Sequence, residues 1–354
     1  MSRRLTASVV GGGSGGKLSL SALAGSERFE LVAMADINPQ IRQAIAQAYP
    51  GIRTFASHQE MLAACPTDVV CVSTWPPSHE PITLDALALG LKGILVEKPL
   101  GHTAASGRRI LQAVKARNLP MAVPHSLLAQ AMPLEVIARV RAGDIGELRL
   151  LEVQCTRWDI INAGIHWLLL FVMLTGNEPI DHVQAACEAG TRTYRDGMQV
   201  ETTAVTYVVT QSGVRCVMNT GDDVKVARPG KGNLFRIVGT AGIIELSWAG
   251  DTSYWILNAD SPAGRIVTPR EFPVIRHQRH LEGIADMIET GRRDCTIPEA
   301  SLKSLEMCEA AYISSRRRCK VTFPLVDFLI PAPVDWDPGR PYSGTGGGRD
   351  GRKL

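Results

Sequence analysis

Short apolar runs alternate with amphipathic segments along the first third of the chain. The runs are TASVV (6–10), FELVAMAD (29–36), TDVVCVST (67–74), KGILVE (92–97) and PMAVPH (120–125). The segments KLSLSALAG, HEPITLDALALG and TAASGRRILQAVKAR lie between them and have the pattern of helices. Strands that alternate with helices predict a parallel sheet covered on both faces. Ligands bind beyond the carboxyl ends of the strands in such sheets.

A glycine-rich segment, GGGSGG, follows the first apolar run, and the pattern of a helix follows it. Gly11, Gly13 and Gly16 satisfy G-x-G-x-x-G, in which missing side chains let backbone N–H groups approach a pyrophosphate. Together with Ser14 and Gly15 they form the predicted phosphate-binding loop, where the helix N-terminus also favours an anion.

The second apolar run ends in Asp36, 20 residues after Gly16. A carboxylate at this spacing is predicted to accept hydrogen bonds from an adenosine ribose. Its charge would repel a 2′-phosphate, and no arginine occurs in DINPQ (36–40), so NAD is favoured over NADP. The alternative is that Asp36 only caps the turn before Asn38 and Pro39.

Polar residues follow the later strands at the same predicted rim. The further predicted cofactor contacts are Ser73, Thr74, Trp75, His79, Glu97 and Lys98. The alternative for His79 is packing at a helix N-terminus. The alternative for Glu97 is the role of an ordinary turn carboxylate. Pro99 restricts Lys98 to extended backbone angles, and the bond between them can be cis, as about 5% of such bonds are in folded proteins.

The middle of the chain has a different pattern. GELRLLEVQCTRW, ETTAVTYVVTQSG, VRCVMNTG, LFRIVGTAG and IIELSWAG resemble strands with glycine at the turns, which predicts an open, predominantly antiparallel sheet. The expected fold class is α/β: a doubly wound Rossmann domain over residues 1–122, followed by an α+β domain over 123–325. Residues 326–354 form a tail rich in proline and glycine.

The stretch VSTWPPSHEPITLDALALGLKGILVEKPLGHT (72–103) resembles the Gfo/Idh/MocA oxidoreductases, as do residues 132–153 and 279–325. The resemblance implies an NAD(P)-dependent dehydrogenase that acts on a sugar, sugar derivative or cyclitol hydroxyl. It also implies a homodimer or homotetramer, because the second domain's sheet commonly makes subunit contacts in the family. Relatives that hydrolyse glycosides by transient oxidation and a non-catalytic NAD-binding regulator are the alternatives.

The family's D-x-x-x-H pattern is similar to NAGIHWLLL (162–170), where Asn162 and His166 occupy its two positions. The resemblance implies that His166 is the general base and that Lys98 donates a hydrogen bond to the same substrate oxygen. The residues around His166 are apolar, so the alternative is a satisfied core histidine with no catalytic role. Three departures concern the pocket: asparagine adds no negative charge beside the imidazole, Leu169 replaces a usual aspartate, and the glycine-rich loop before residue 162 is nearly absent.

The predicted substrate contacts are Lys98, His125, Arg157, Asn162 and His166, with a solvated strand end as the alternative for Arg157. Imidazole suits the role of base because it exchanges protons near neutral pH. The ammonium and the imidazole, from separate domains, are expected to act on one hydroxyl.

Composition narrows the remaining function classes. A formal net charge of +3 with mixed signs argues against nucleic acid, and apolar runs too short to span a bilayer argue against a membrane protein. The 8 scattered cysteines lack metal spacing and are typical of a reducing compartment, so a cytoplasmic location is expected. His277 and His280 are three apart, but no partner at fixed spacing supports a metal site.

Overall fold

The structure, a computed structural model, describes residues 3–248, 250–274, 276–325 and 339–341. The chain divides into two compact units. Unit 1 comprises Met1–Ala129 and Pro273–Leu302, and unit 2 comprises Gln130–Phe272 and Lys303–Leu354. Most of the tail at 326–354 lies outside the described residues.

The regular elements of the described residues are numbered in chain order. The strands are β1 (Leu5–Val10), β2 (Phe29–Ala35), β3 (Arg53–Phe55), β4 (Val69–Val72), β5 (Gly93–Val96), β6 (Met121–Ala122), β7 (Leu148–Thr156), β8 (Ile180–Cys187), β9 (Thr193–Arg195), β10 (Met198–Val200), β11 (Thr203–Thr210), β12 (Arg215–Gly221), β13 (Asn233–Gly239), β14 (Ile243–Leu246), β15 (Tyr254–Asn258), β16 (Ser261–Val267) and β17 (Val321–Thr322). The α-helices are α1 (Ser14–Ala24), α2 (Pro39–Ala48), α3 (His58–Ala64), α4 (Pro76–Leu87), α5 (Ala104–Ala116), α6 (Ala131–Ala142), α7 (Ile165–Leu174), α8 (Arg276–Thr290) and α9 (Thr296–Arg317). A 3₁₀ helix spans Ser126–Ala129, and a π-helical turn spans Ile160–Gly164.

Unit 1 contains a sheet of six parallel strands in the order β3-β2-β1-β4-β5-β6 among the described residues. The order reverses between β1 and β4, which is where doubly wound sheets bind ligands at the carboxyl ends of their strands. The Rossmann fold expected from the sequence is therefore confirmed.

Both faces of this sheet are buried. Successive side chains of a strand point to opposite faces, so neighbouring residues pack into different apolar layers. Val9 packs into one apolar cluster and Val10 into the other, and Leu95 and Val96 divide in the same way. Runs that are apolar at every position therefore satisfy both layers, as their sequence pattern indicated.

One layer of unit 1 includes a helix from far along the chain. Leu281 and Ile284 of α8 are fully buried against the same cluster as Val9 and Leu95. Residues 273–302, which the sequence pattern placed in the second domain, thus pack with the first unit. The physical reason is that the apolar face of α8 covers sheet surface that the local helices leave open.

Unit 2 contains a nine-stranded sheet in the order β16-β15-β14-β13-β7-β12-β11-β8-β17 among the described residues. Its pairs are antiparallel except β7 with β12, which is parallel. Along β7, Leu151, Val153 and Cys155 are buried and alternate with half-buried residues, so the sheet packs a core on one face. The predicted open, predominantly antiparallel sheet is confirmed.

Three residues of the predicted tail are described, at 339–341. The Gly339 amide donates to the Gln199 carbonyl at 2.7 Å, and the Gln199 amide donates to the Arg340 carbonyl at 2.8 Å. This part of the tail therefore pairs with β10 of its own unit.

Candidate functional site

The glycine loop of unit 1 lies between β1 and α1. A Cβ added at Gly16 would lie 1.9 Å from the Gly11 carbonyl oxygen, and one added at Gly11 would lie 2.4 Å from the Ser73 carbonyl oxygen. Gly11 also has a φ of +93°, which side chains rarely adopt. These two glycines are therefore needed for the close packing of the loop itself.

Gly13 has a different surrounding. A Cβ there would meet nothing within 4 Å, so the backbone is open to a ligand. Gly13 is the N-cap of α1, without a side-chain capping hydrogen bond and without an acidic residue in the first turn. The unsatisfied N–H groups from Ser14 onward form an N-terminus that fits a pyrophosphate.

Gly15 has a third role. A Cβ there would lie 2.9 Å from Oε1 of Glu97, so the missing side chain makes room for a carboxylate of the same unit. The sequence pattern assigned Gly15 only to the phosphate loop, because nothing nearby in the chain shows that Glu97 lies against it.

Asp36 lies at the end of β2, beside the loop. Its Oδ2 accepts from the Gly12 amide at 2.7 Å and its Oδ1 accepts from the Asn38 amide at 2.8 Å. Each oxygen keeps a further lone pair, so the carboxylate can still accept from ribose hydroxyls. Arg42, which the sequence pattern did not single out, donates from its guanidinium to the carbonyl of Asp36 at 2.7 Å.

The segment after β4 carries four of the predicted cofactor contacts. Ser73 is buried, with its hydroxyl 3.0 Å from that of Ser19, whereas Trp75 is 44% exposed. Thr74 accepts a hydrogen bond from Ser78 through its hydroxyl, at 2.8 Å. Thr74 and Trp75 therefore lie at the accessible part of this strand end.

His79 of α4 is fully buried. Its Nε2 lies 2.9 Å from the Thr74 carbonyl oxygen and its Nδ1 lies 3.0 Å from the Pro99 carbonyl oxygen. Burial lowers the pKa of this imidazole, and the backbone oxygens oppose that effect only partly. The ring joins the loops after β4 and β5, which favours the packing role over direct cofactor contact.

Glu97 and Lys98 follow β5, and the Lys98–Pro99 peptide bond is cis. Glu97 is buried and accepts the Lys98 amide on Oε2 at 3.1 Å. Its Oε1 lies 2.5 Å from Nε2 of His277, a residue 180 positions away. Lys98 is half-buried, next to the segment that contacts the glycine loop.

His125, a predicted substrate contact, is fully buried within unit 1. Its Nε2 lies 2.8 Å from the Ser301 hydroxyl, and its carbonyl lies 3.1 Å from Nε2 of His280. Desolvation, followed by the charge of Lys98, lowers the pKa of His125 well below its usual range. These contacts favour a structural role, and a substrate role stays a prediction.

In unit 2, Asn162 and His166 lie on one helical run. Asn162 is in the π-helical turn, a feature frequent at functional sites, and His166 is in the first turn of α7. Both are buried, and the His166 ring lies 5.6 Å from that of Trp248. A spacing of four residues keeps the two side chains on neighbouring positions of the run.

Asp159, which was not among the predicted site residues, is the N-cap of this run. Its Oδ1 accepts from the backbone amide of Asn162 at 2.8 Å and from the side-chain amide of Asn162 at 2.9 Å. Its Oδ2 lies 2.7 Å from the guanidinium of Arg195. A carboxylate is therefore present beside Asn162 after all, although its charge is paired with arginine. Aspartate at a helix start is a local signal that could have identified it.

Arg195 also lies over the exposed ring of Trp158, with 4.3 Å between the guanidinium carbon and the ring centroid. Arg157, the remaining predicted substrate contact, has a φ of 70°, and its amide donates to the Gly221 carbonyl at 2.8 Å. Its backbone thus closes the end of β7, and the role of its side chain stays a prediction.

A second buried carboxyl group, Glu201, lies in the same cluster. Its Oε1 accepts from the Ile160 amide at 2.7 Å, and its Oε2 accepts from the Tyr312 hydroxyl at 2.9 Å. Burial and the charge of Asp159 raise the pKa of Glu201 to about 7. No local pattern in the sequence predicts this, because Tyr312 lies 111 positions away.

This pKa predicts an unusual dependence of stability on pH. The folded protein holds the Glu201 proton more tightly than the unfolded chain, so stability falls as pH rises from about 5 through the folded pKa. Glu201→Gln keeps the shape of the protonated acid. Its stability relative to the wild type should therefore increase between about pH 5 and pH 8, as measured by chemical denaturation.

Glu188→Gln is the matched control. In the wild type, the hydrogen bond from the Thr202 hydroxyl lowers the pKa of Glu188. The contribution of the Glu188 carboxylate to stability is therefore lost only in more acidic solution. Equal pH dependence in the two variants would contradict the assignment of Glu201.

The described residues contain no group of three or more histidine, cysteine, aspartate or glutamate side chains that could hold a metal ion. None of the helices in the described part of the chain has the length and apolar character needed to cross a membrane.

Residues 5–125 match the sequence profile of GFO_IDH_MocA, described as an oxidoreductase family with an NAD-binding Rossmann fold. The chain is 29% identical over 197 residues to an inositol 2-dehydrogenase of Burkholderia multivorans. This alignment covers 52% of the chain and 57% of the relative. It therefore spans less than two thirds of that relative's length. It is 26% identical over 278 residues to the rhizopine catabolism protein MocA of Rhizobium meliloti, covering 72% of this chain and 83% of that protein.

A solved structure also shares the fold. The WlbA dehydrogenase from Bordetella pertussis, in complex with NADH and UDP-GlcNAcA, aligns with a TM-score of 0.75 and 21% identity. The alignment covers 92% of this chain and 99% of that one.

Proposed function

We propose that this protein transfers hydride between a secondary hydroxyl and nicotinamide, because residues 5–125 match the profile of an NAD-binding oxidoreductase family and the chain is 29% identical over 197 residues to an inositol 2-dehydrogenase. The hydroxyl belongs to a sugar, a sugar derivative or a cyclitol. Unit 1 is proposed to hold the cofactor, and unit 2 to bind the substrate and to make subunit contacts.

The observation that carries this proposal is the contact of Glu97 with Gly15. The carboxylate of Glu97 lies where a Gly15 side chain would be and accepts the backbone amide of Lys98, so the backbone of Lys98 is tied to a residue that packs on the glycine loop. An ammonium group at this place is suited to a substrate oxygen next to the redox end of the cofactor, where developing negative charge needs a donor.

The residues that fit NAD are the uncapped N-terminus of α1, the open backbone at Gly13 and the carboxylate of Asp36. When bound, the cofactor supplies a hydride acceptor at its nicotinamide ring. The protein's own groups handle the proton and the charge.

His166 is proposed to accept the proton of the substrate hydroxyl and later release it to water. Lys98 donates a hydrogen bond to the same oxygen, which favours the alkoxide while the carbon loses hydride and becomes a carbonyl. Asp159 holds the Asn162 side chain, so Asn162 is proposed to be oriented for contact with the substrate.

The direct test is turnover on a panel of inositols, hexoses, pentoses and their acids, followed by the absorbance of NADH. NADH should accumulate with at least one polyol or sugar, and His166→Ala should abolish this accumulation. Catalytic NAD that supports release of sugar from a glycoside without net NADH would instead indicate the hydrolase. NAD binding without any turnover would indicate a regulator.

A prediction about cofactor choice follows from Asp36 and Arg42. Asp36→Ser removes charge-assisted hydrogen bonds and should weaken NAD binding by about tenfold. NADP should bind better than to the wild type, because the repulsion is removed while the Arg42 guanidinium stays near the carbonyl of residue 36. Titration of both cofactors measures this, with surface Asp85→Ser as control. An unchanged ratio of the two affinities would show that Asp36 does not contact the ribose.

The cytoplasmic location and the homodimer or homotetramer expected from the sequence remain predictions. Sedimentation of the purified chain measures the second of them.

A further inference from the structure

A buried acid and a buried histidine meet beneath the glycine loop of unit 1. The side chains of Glu97 and His277 are 8% and 4% exposed, and Oε1 of Glu97 lies 2.5 Å from Nε2 of His277. Ion pairs at this degree of burial require good geometry, because desolvation of each charge is costly.

Glu97 is a junction between three segments. Its Oε1 faces His277 and lies where a side chain of Gly15 would be, and its Oε2 accepts the amide of Lys98. A shift of this one carboxylate would therefore disturb both the phosphate loop and the backbone of the proposed catalytic lysine.

The other ring nitrogen of His277 does not share in this contact. Its Nδ1 is buried and has no hydrogen-bond partner among the residues that the structure describes. The ring lies in the first turn of α8, just after the chain enters unit 1 for the second time. His280, one turn later, is also buried but bonds to a backbone carbonyl, that of His125.

We propose that His277 is a positioning residue of the cofactor site: it holds the Glu97 carboxylate in place and thereby sets the glycine loop and the backbone of Lys98. The inference rests on the proposed function in that NAD is the ligand of unit 1. It requires no particular substrate.

The electrostatics of Glu97 agree with this role. Burial raises the pKa of Glu97, but the hydrogen bond and charge of His277, the charge of Lys98 and the hydrogen bond from the Lys98 amide together outweigh it, so the pKa lies below its usual range. The titratable groups that face Glu97 are Lys98 on its own segment, Cys71 on β4, His79 on α4, and His277 and His280 on α8. Of these, His277 is hydrogen-bonded to the carboxylate through its side chain.

The test is NAD affinity at several pH values, measured by calorimetry without substrate. His277→Leu leaves a buried carboxylate without its partner and should weaken NAD binding by about tenfold near pH 8. Burial should then raise the pKa of Glu97, so that affinity falls as pH rises between about 6 and 9. The wild type should show no such dependence.

Two further variants separate positioning from loss of structure. His277→Gln keeps a donor for Glu97 and should recover most of the affinity. Glu97→Gln combined with His277→Leu contains no buried charge, so its weakened binding should be independent of pH. His280→Leu is the matched control: it removes an equally buried ring of α8 and should lower the melting temperature without introducing the pH dependence.

Wild-type affinity with flat pH dependence in His277→Leu would overturn the proposal. If that variant does not fold, Glu97→Gln carries the test, since wild-type NAD affinity in it would equally show that the carboxylate does not set the loop. The readout is independent of turnover. A wild type that binds NAD but oxidises nothing on the panel would refute the proposed function and leave the test of His277 intact.

Discussion

Replacement of Lys98 by alanine is expected to lower kcat by a factor of roughly 10² to 10³ while NAD binding stays close to that of the wild type. The physical reason is that the ammonium group would interact most strongly with the substrate oxygen when negative charge develops on it. Such a contact contributes to the transition state more than to the ground state, so its loss appears in kcat. Steady-state kinetics on the best substrate of the panel, together with calorimetry for NAD, measure the two effects separately.

Lys92→Ala is the control for this experiment. Lys92 directly precedes β5, its side chain is 55% exposed, and its Nζ lies 3.0 Å from Asp68. Exposed pairs of this kind contribute little, so activity should stay unchanged. A Lys98→Ala variant that keeps normal turnover would show that the lysine is not the donor. If Lys98 and His166 act on one oxygen, the double variant should lose little more than either single one.

The second large effect concerns the glycine loop, where alanine substitution should destabilise the fold strongly at Gly16 and only slightly at Gly13. Gly16→Ala would place a Cβ 1.9 Å from a backbone oxygen, which cannot move away cheaply. The variant should lose about 3 kcal/mol of unfolding free energy or fail to fold. Gly13→Ala meets nothing within 4 Å and should change stability by less than about 1 kcal/mol.

NAD affinity distinguishes the two glycines further. Since the open backbone at Gly13 is where a pyrophosphate would approach, a methyl group there should weaken NAD binding by about tenfold or more while the fold is retained. Chemical denaturation and NAD titration of both variants measure this. A stable Gly16→Ala variant would contradict the close packing of the loop, and a Gly13→Ala variant with unchanged affinity would show that the pyrophosphate lies elsewhere.

Much of unit 1 was predictable because its signals are local. Alternating apolar runs identified five of the six strands in its sheet among the described residues, although not β3, and the spacing between Gly16 and Asp36 identified the helix start and the strand end of one β-α-β unit. Proline after Lys98 suggested the cis bond that the structure contains. Each of these inferences depends on residues that are close in sequence, where steric and periodic constraints act directly.

The contacts that define the candidate site were harder to predict from the sequence. The spacing of His277 and His280 suggested only a metal pair, yet His277 is paired with Glu97 in the structure. Asparagine at position 162 suggested the loss of a negative charge, yet Asp159 lies beside Asn162 and is paired with Arg195. His125, expected at the rim, is a buried ring bonded to Ser301.

Local pattern was thus sufficient for the fold class, for the glycine loop after β1 and for the position of Asp36 at the end of β2. It was insufficient for the assignment of α8 to unit 1, for the partner of Glu97 and for the raised pKa of Glu201. These depend on which distant segments become neighbours and on how much water is excluded between them. Burial and long-range charge exist only once the chain has folded, and no window of the sequence contains them.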